Sequence, residues 1–143
     1  YTDGRNSRVN GLADNGVAVG WKAADFGYWE GRVWMDGQAY SMQDAAPATY
    51  VYVGEATAVS SNGEWVAGIN ATNELWEAFP YRYNTASAAF EILDITEPCP
   101  PFDWFCWGSL AYNPYDLSDD GTMVGAMGTA SSSQATIVSD ALG

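Results

Sequence analysis

The chain contains no histidine, a single lysine among five basic residues, and only two cysteines in 143 positions. Without histidine, the commonest general base near neutral pH and the commonest transition-metal ligand are missing. Ser/His/Asp, Cys/His and His-based zinc chemistry therefore cannot be assembled from these residues. Eighteen acidic side chains against five basic ones give a formal charge of -13. That charge repels phosphate backbones and anionic head groups, so nucleic acid is not an expected partner. No apolar run approaches the roughly 20 residues of a membrane helix, and the opening "YTDGRNSRVNG" lacks the apolar stretch of a signal peptide. Membrane insertion is not expected. An initiator methionine is absent as well, and the expectation is a mature product or a piece of a longer protein.

What is present is the material of a sheet protein. A chain of 143 residues is within the size of one domain and removes about two thirds of its unfolded surface on folding. Period-2 patterns dominate, and Gly, Asn, Asp and Ser punctuate them at short intervals, as in folds of many short strands. The best helical competitor, "TNELWEAF" at 72–79, is only about two turns long before Pro80 and reads as a loop entering a strand.

Three stretches look like imperfect copies of one hairpin: "LADNGVAVGW" at 12–21, "VSSNGEWVAGIN" at 59–70 and "LSDDGTMVGAM" at 117–127. In each, a strand ends at Leu12, Val59 or Leu117, and a turn follows at Asn15-Gly16, Asn62-Gly63 or Asp120-Gly121. Asn-Gly and Asp-Gly tolerate the positive φ angles of tight hairpin turns. A glycine closes each second strand, at Gly20, Gly68 and Gly125, and predicts a bulge or a close backbone approach. Trp65 and Val66 are expected on opposite faces of their strand. Further β-rich segments follow at 31–37, 77–84 and 134–140, with fourth segments at 38–44 and 89–95 in the first two units. The expected fold class is all-β: repeated four-stranded antiparallel sheets, propeller-like, in about three units (roughly 9–48, 56–97 and 112–143). The last unit is incomplete or completed by another chain. Gly16 to Gly63 is 47 residues and Gly63 to Gly121 is 58, close to the roughly 40–50 residues of a propeller blade, with an inserted Cys loop at 98–111 taking up the excess.

These motifs, above all "AVSSNGEWVAGINATNELWEAFPYRYN" at 58–84, resemble the secreted bacterial proteins with HAF repeats and related propeller-like extracellular proteins of unknown activity. The resemblance implies a propeller or a stack of four-stranded units, export from the cell, and no established activity. Closed propellers use about 4–8 blades, so three units leave unpaired edges that are templates for another chain.

Cys99 and Cys106 lie in "EPCPPFDWFCWG", and closing that short loop would contribute roughly 2.5 kcal/mol in the chain-entropy model. A structural disulfide is favoured over a metal or redox pair, for which CxxC spacing and further ligands are lacking. It points outside the cytoplasm, to the cell surface, the exterior or the periplasm. Around it, Phe102, Trp104, Trp107, Tyr112 and Tyr115 form the candidate contact residues. They could stack on sugar rings, bury against a protein, or fold back as a plug. Glu74/Glu77, Asp116/Asp119 and Asp94/Glu97 are the carboxylate pairs a glycosidase would need, but none sits in a hydrolase pattern. "ADNG" and "SDDG" offer oxygen ligands to calcium without completing a calcium loop, so no cofactor is expected, with calcium the one alternative. The expected function is non-catalytic binding at or outside the cell surface, to a protein partner or further copies of the chain. Carbohydrate binding is the alternative and an acidic glycosidase the distant one.

Overall fold

The structure, a computed structural model, describes residues 6–24, 27–75, 77–93, 111–129 and 132–139. Cys99, Phe102, Trp104, Cys106 and Trp107 lie outside the described residues. The fold is all-β, and the described residues form three antiparallel sheets and one helical turn. The first sheet runs in the order β1 (Ser7–Leu12), β2 (Ala18–Ala23), β3 (Trp29–Met35) and β4 (Gln38–Ser41). The chain after β4 does not continue as a strand: Ser41 caps a short helix, α1 (Met42–Ala45), by accepting the Asp44 N–H. In the second sheet, β5 (Tyr50–Val53) and β6 (Ala56–Val59) both pair with β7 (Trp65–Asn73), followed by β8 (Ala78–Asn84) and β9 (Phe90–Ile92). The third contains β10 (Ala111–Leu117), β11 (Met123–Thr129) and β12 (Ser132–Val138). The stretch at 72–79 is the end of β7, a turn in which Asn73 Oδ1 accepts the N–H groups of Leu75 and Glu77, and the start of β8.

The three hairpin turns share one construction. Gly16, Gly63 and Gly121 have φ of 87°, 75° and 84°, and each donates its N–H to the carbonyl three residues back, at 3.0, 2.9 and 3.0 Å. The residue before each glycine contributes a side-chain acceptor. Oδ1 of Asn15, Asn62 and Asp120 takes the N–H of Val17, Glu64 and Thr122, at 3.1, 2.9 and 2.9 Å. Neither asparagine nor the aspartate is at positive φ, so glycine alone supplies the left-handed residue while Asn or Asp ties the loop. The first and third loops hold three residues, closed by Ala13 N–H to Val17 O and Ser118 N–H to Thr122 O. The second holds one more, Glu64, and closes from Ser60 to Trp65. The turns are also joined to one another. Asn15 Nδ2 donates to Asn62 O at 2.7 Å, and Asn62 N–H donates to Asp119 Oδ1 at 2.9 Å.

Once Glu64 is allowed for, the sheets stack in one sense. Val19 and Val33 of the first sheet pack with Val66 and Tyr81 of the second. Ala67 of the second packs with Leu117 and Met123 of the third, with Trp65 against that same cluster. Val66 and Trp65 therefore serve opposite faces, and the second sheet is covered on both. The equivalent outer positions are bare: Leu12 on the first sheet is 72% exposed, whereas its counterpart Leu117 is 4% exposed. On the third sheet the cross-strand pair Val124 and Ile137 occupies the place of Ala67 and Arg82, yet is 41% and 61% exposed.

Tyr81 anchors the first core. Its ring lies over Gly68, where a Cβ would stand 2.2 Å from a ring carbon, stacks on Phe90 at 4.9 Å, and donates its hydroxyl to Gly54 O at 3.2 Å. Burial, with the charge of Glu55 adding, holds its phenol well above the ordinary value. An acid with a raised folded pKa stabilises the fold below the unfolded value and loses that contribution as pH rises. The loss should begin near pH 10, where the unfolded tyrosine ionises and the buried one does not. Urea unfolding across the alkaline range should show Tyr81→Phe about 1 kcal/mol less stable at neutral pH, with a shallower alkaline decline than the parent. Parallel declines would refute the assignment.

Candidate functional site

The first strand of each sheet carries a bulge at the same place. Val9 pairs with Gly20 and Gly11 with Val19, leaving Asn10 extra. Ala56 pairs with Gly68 and Ala58 with Ala67, leaving Thr57 extra. Pro114 pairs with Gly125 and Asp116 with Val124, leaving Tyr115 extra. Each extra residue stands six positions before its turn glycine. The closing glycines are required by the close approach: a Cβ on Gly20 would lie 1.9 Å from Arg8 O, and one on Gly125 would lie 2.2 Å from Asn113 O. The expectation of a bulge or backbone approach at these glycines therefore describes both halves of the motif.

Stacking of the sheets brings the three bulges together. Asn10, Thr57 and Tyr115 line one open cleft of about 340 Å³, with Arg8, Glu55 and Asn113 as its other polar members. Its apolar wall is Val9, Ile69 and Pro114. Glu55 is presented where the first strand of the second sheet breaks between β5 and β6. Opposite, Asn70 adopts a left-handed φ of 61° and Ile69 donates its N–H to Glu55 O. Asn10 Nδ2 bridges the first two sheets, donating to Ala56 O at 2.9 Å and to Glu55 Oε2 at 3.3 Å. Tyr115, 69% exposed, stands on the rim.

Of the residues expected from sequence to make contacts, Tyr115 thus joins a cleft, and Tyr112 lies on the same strand, β10. Asn15, Gly16, Asn62, Gly63, Asp120 and Gly121 form the row of turns, where the carboxylates already have work. Asp120 accepts from the Ser118 hydroxyl and the Thr122 N–H, bonds that hold its carboxyl below the usual range. Asp116 and Asp119 each accept a backbone N–H, and Glu77 accepts from Asn73 Nδ2. Among the described residues no group of three or more acidic or sulfur side chains is close enough to share a metal ion. Asn10, Glu55, Thr57 and Asn113 were not singled out in the sequence. The signal that could have found the two bulged ones is their constant offset from Gly16 and Gly63.

A second aromatic group lies elsewhere. Trp21 stacks on Trp29 at 5.0 Å, and Tyr28 packs on Tyr52 at 5.2 Å. Tyr52 donates its hydroxyl to Trp29 O at 2.6 Å, and burial raises its phenol pKa.

No family model matches the chain, and neither a curated protein nor a solved structure matches it.

Proposed function

We propose that the chain is a non-catalytic binding and structural module that acts outside the cell, at its surface or in the periplasm, by docking to protein, further copies of itself included. Its three sheets are units of a propeller-like stack, in keeping with the resemblance to HAF-repeat proteins, and it needs no cofactor. The observation that carries this reading is the single sense of stacking. Every unit offers two different faces, one to the sheet before it and one to the sheet after it, so the contact is head to tail and, repeated, gives a ring where the rotation closes. The Val124/Ile137 face is built like faces that are covered inside the molecule, and is bare. Two copies placed head to tail would bring six sheets together, within the roughly 4–8 of closed propellers.

Light scattering after size exclusion tests it. The chain should show a concentration-dependent mass above 15.4 kDa, and association should strengthen with salt, because two copies of charge -13 repel each other and ions screen that repulsion. Ile137→Lys, at an exposed site, should fold normally and remain at the single-chain mass. A parent that stays monomeric up to its solubility limit in high salt would remove self-association. Association unaffected by Ile137→Lys would remove this face.

A further inference from the structure

We propose that the cleft at the three bulges binds a neutral pyranose residue of an oligosaccharide or polysaccharide. The cleft is complete within one copy, so this site stands independently of any assembly. The motif that builds it is constant where geometry demands constancy. Gly20, Gly68 and Gly125 are alike because a Cβ at any of them meets a neighbour at 1.9 to 2.2 Å. The residues pushed out opposite them differ: an amide at Asn10, a hydroxyl at Thr57 and a phenol at Tyr115. A bulged residue has no residue directly across from it. Asn10 spends its Nδ2 on Ala56 O and Glu55 Oε2, and Thr57 donates Oγ1 to Ala67 O at 3.4 Å, so what both can still offer a ligand is acceptor oxygens.

The chemistry gathered there suits a sugar. A pyranose offers adjacent hydroxyls that donate and accept, and a face of C–H groups that packs on an aromatic ring. Asn10 Nδ2 donates to Glu55 Oε2 at 3.3 Å, which orients the carboxylate and leaves its other oxygen as an acceptor for a sugar hydroxyl. Thr57 and Asn113 add a hydroxyl and an amide, and Tyr115 supplies a rim ring that is 69% exposed. The volume of about 340 Å³ lies at the lower end of small-molecule sites, about 300–1,000 Å³. Arg8 and Glu55 balance locally while the chain as a whole carries -13, which favours a neutral ligand over uronic acids or phosphates. An extended peptide is disfavoured because each bulge interrupts the row of backbone groups that an added strand would use. Among the described residues of the lining Glu55 is the one carboxylate, whereas glycoside hydrolysis pairs two, so the proposal is for a sugar that is held and not cut.

The test is amide NMR of the 143-residue chain titrated with neutral gluco-, manno-, galacto- and xylo-oligosaccharides and with the matching free monosaccharides. At least one series should give saturable shifts at Asn10, Thr57, Asn113 and Tyr115. Tighter binding of the oligomer than of its monomer would show that the cleft serves a polymer, and equal binding that it serves a free sugar. Tyr115→Ala, at an exposed rim position, should leave the spectrum folded and weaken binding about tenfold, the scale of one lost aromatic contact. Tyr115→Phe should keep most of the affinity, Glu55→Gln should lose severalfold, and the turn variant Ser87→Ala should change nothing. The proposal is overturned by the absence of saturable shifts throughout the panel, by shifts centred on Trp21 and Trp29, by unchanged affinity in Tyr115→Ala, or by peptides that bind these residues where sugars do not.

Discussion

Alanine at Gly20 should disrupt the first sheet, and alanine at Gly125 the third, each costing about 3 kcal/mol or more. The added methyl would lie 1.9 Å from Arg8 O in the first case and 2.2 Å from Asn113 O in the second. Both obstacles are backbone atoms of a strand fixed by its own ladder, so neither can swing aside as a side-chain tip would. Relief requires the bulge to be lost, which slips the register and turns the following side chains to the wrong face. The turn glycines should behave differently. A Cβ on Gly16 meets nothing within 4 Å, and only its φ of 87° resists, which costs about 1 kcal/mol. Urea unfolding followed by tryptophan fluorescence orders the variants. If Gly16→Ala proves as costly as Gly20→Ala, the close approach is not what these strands depend on.

Arg82→Met should detach the third sheet from the second. The guanidinium is 4% exposed. It donates Nη1 to Gly121 O at 2.9 Å and Nε to Glu91 Oε2 at 3.0 Å, and lies 4.6 Å from the Trp65 ring centroid. Methionine keeps the apolar stem and removes every one of these contacts. Glu91 is 42% exposed and can return to water, so the loss falls near 2–3 kcal/mol, below the 3–5 of a fully buried broken pair. Lysine should not restore the stability, since a single ammonium cannot serve a carbonyl and a carboxylate while lying flat on indole. Amide exchange should accelerate first in β10 and β11, ahead of the first sheet. Equal acceleration in all three sheets would mean that Arg82 is not a joint between two of them.

Much of the architecture was legible because it is local. Asn15-Gly16, Asn62-Gly63 and Asp120-Gly121 announce their turns through the chemistry of two residues, and Gly20, Gly68 and Gly125 announce close approaches by lacking a side chain, to backbone at Gly20 and Gly125 and to the Tyr81 ring at Gly68. Glu64 was harder: Gly63 and Gly68 are five apart where Gly16 and Gly20, and Gly121 and Gly125, are four, and the observed pairing places the extra residue in the second loop, where it shifts the register relative to the other copies. The helix at Met42–Ala45 hides in a β-rich segment because Ser41, its cap, follows three residues of period 2. The cleft was not legible as a site. Asn10, Thr57 and Tyr115 are far apart in the chain, and nothing local indicates that Arg82 and the linked turns bring their strands together.

The middle sheet has a consequence for how the protein is made. Val19 and Val33 share their core with Met42 just beyond the first sheet and with Val53, Ala56, Val66 and Tyr81 of the second, so a chain emerging from the ribosome completes its first sheet before most of what covers it exists. During that interval an apolar, pleated surface stands open to neighbouring chains. The second sheet closes it, and exposes in turn the Ala67 face that waits for Leu117 and Met123. Synthesis therefore hands one vulnerable surface forward from sheet to sheet, and the cell's protection must travel with it.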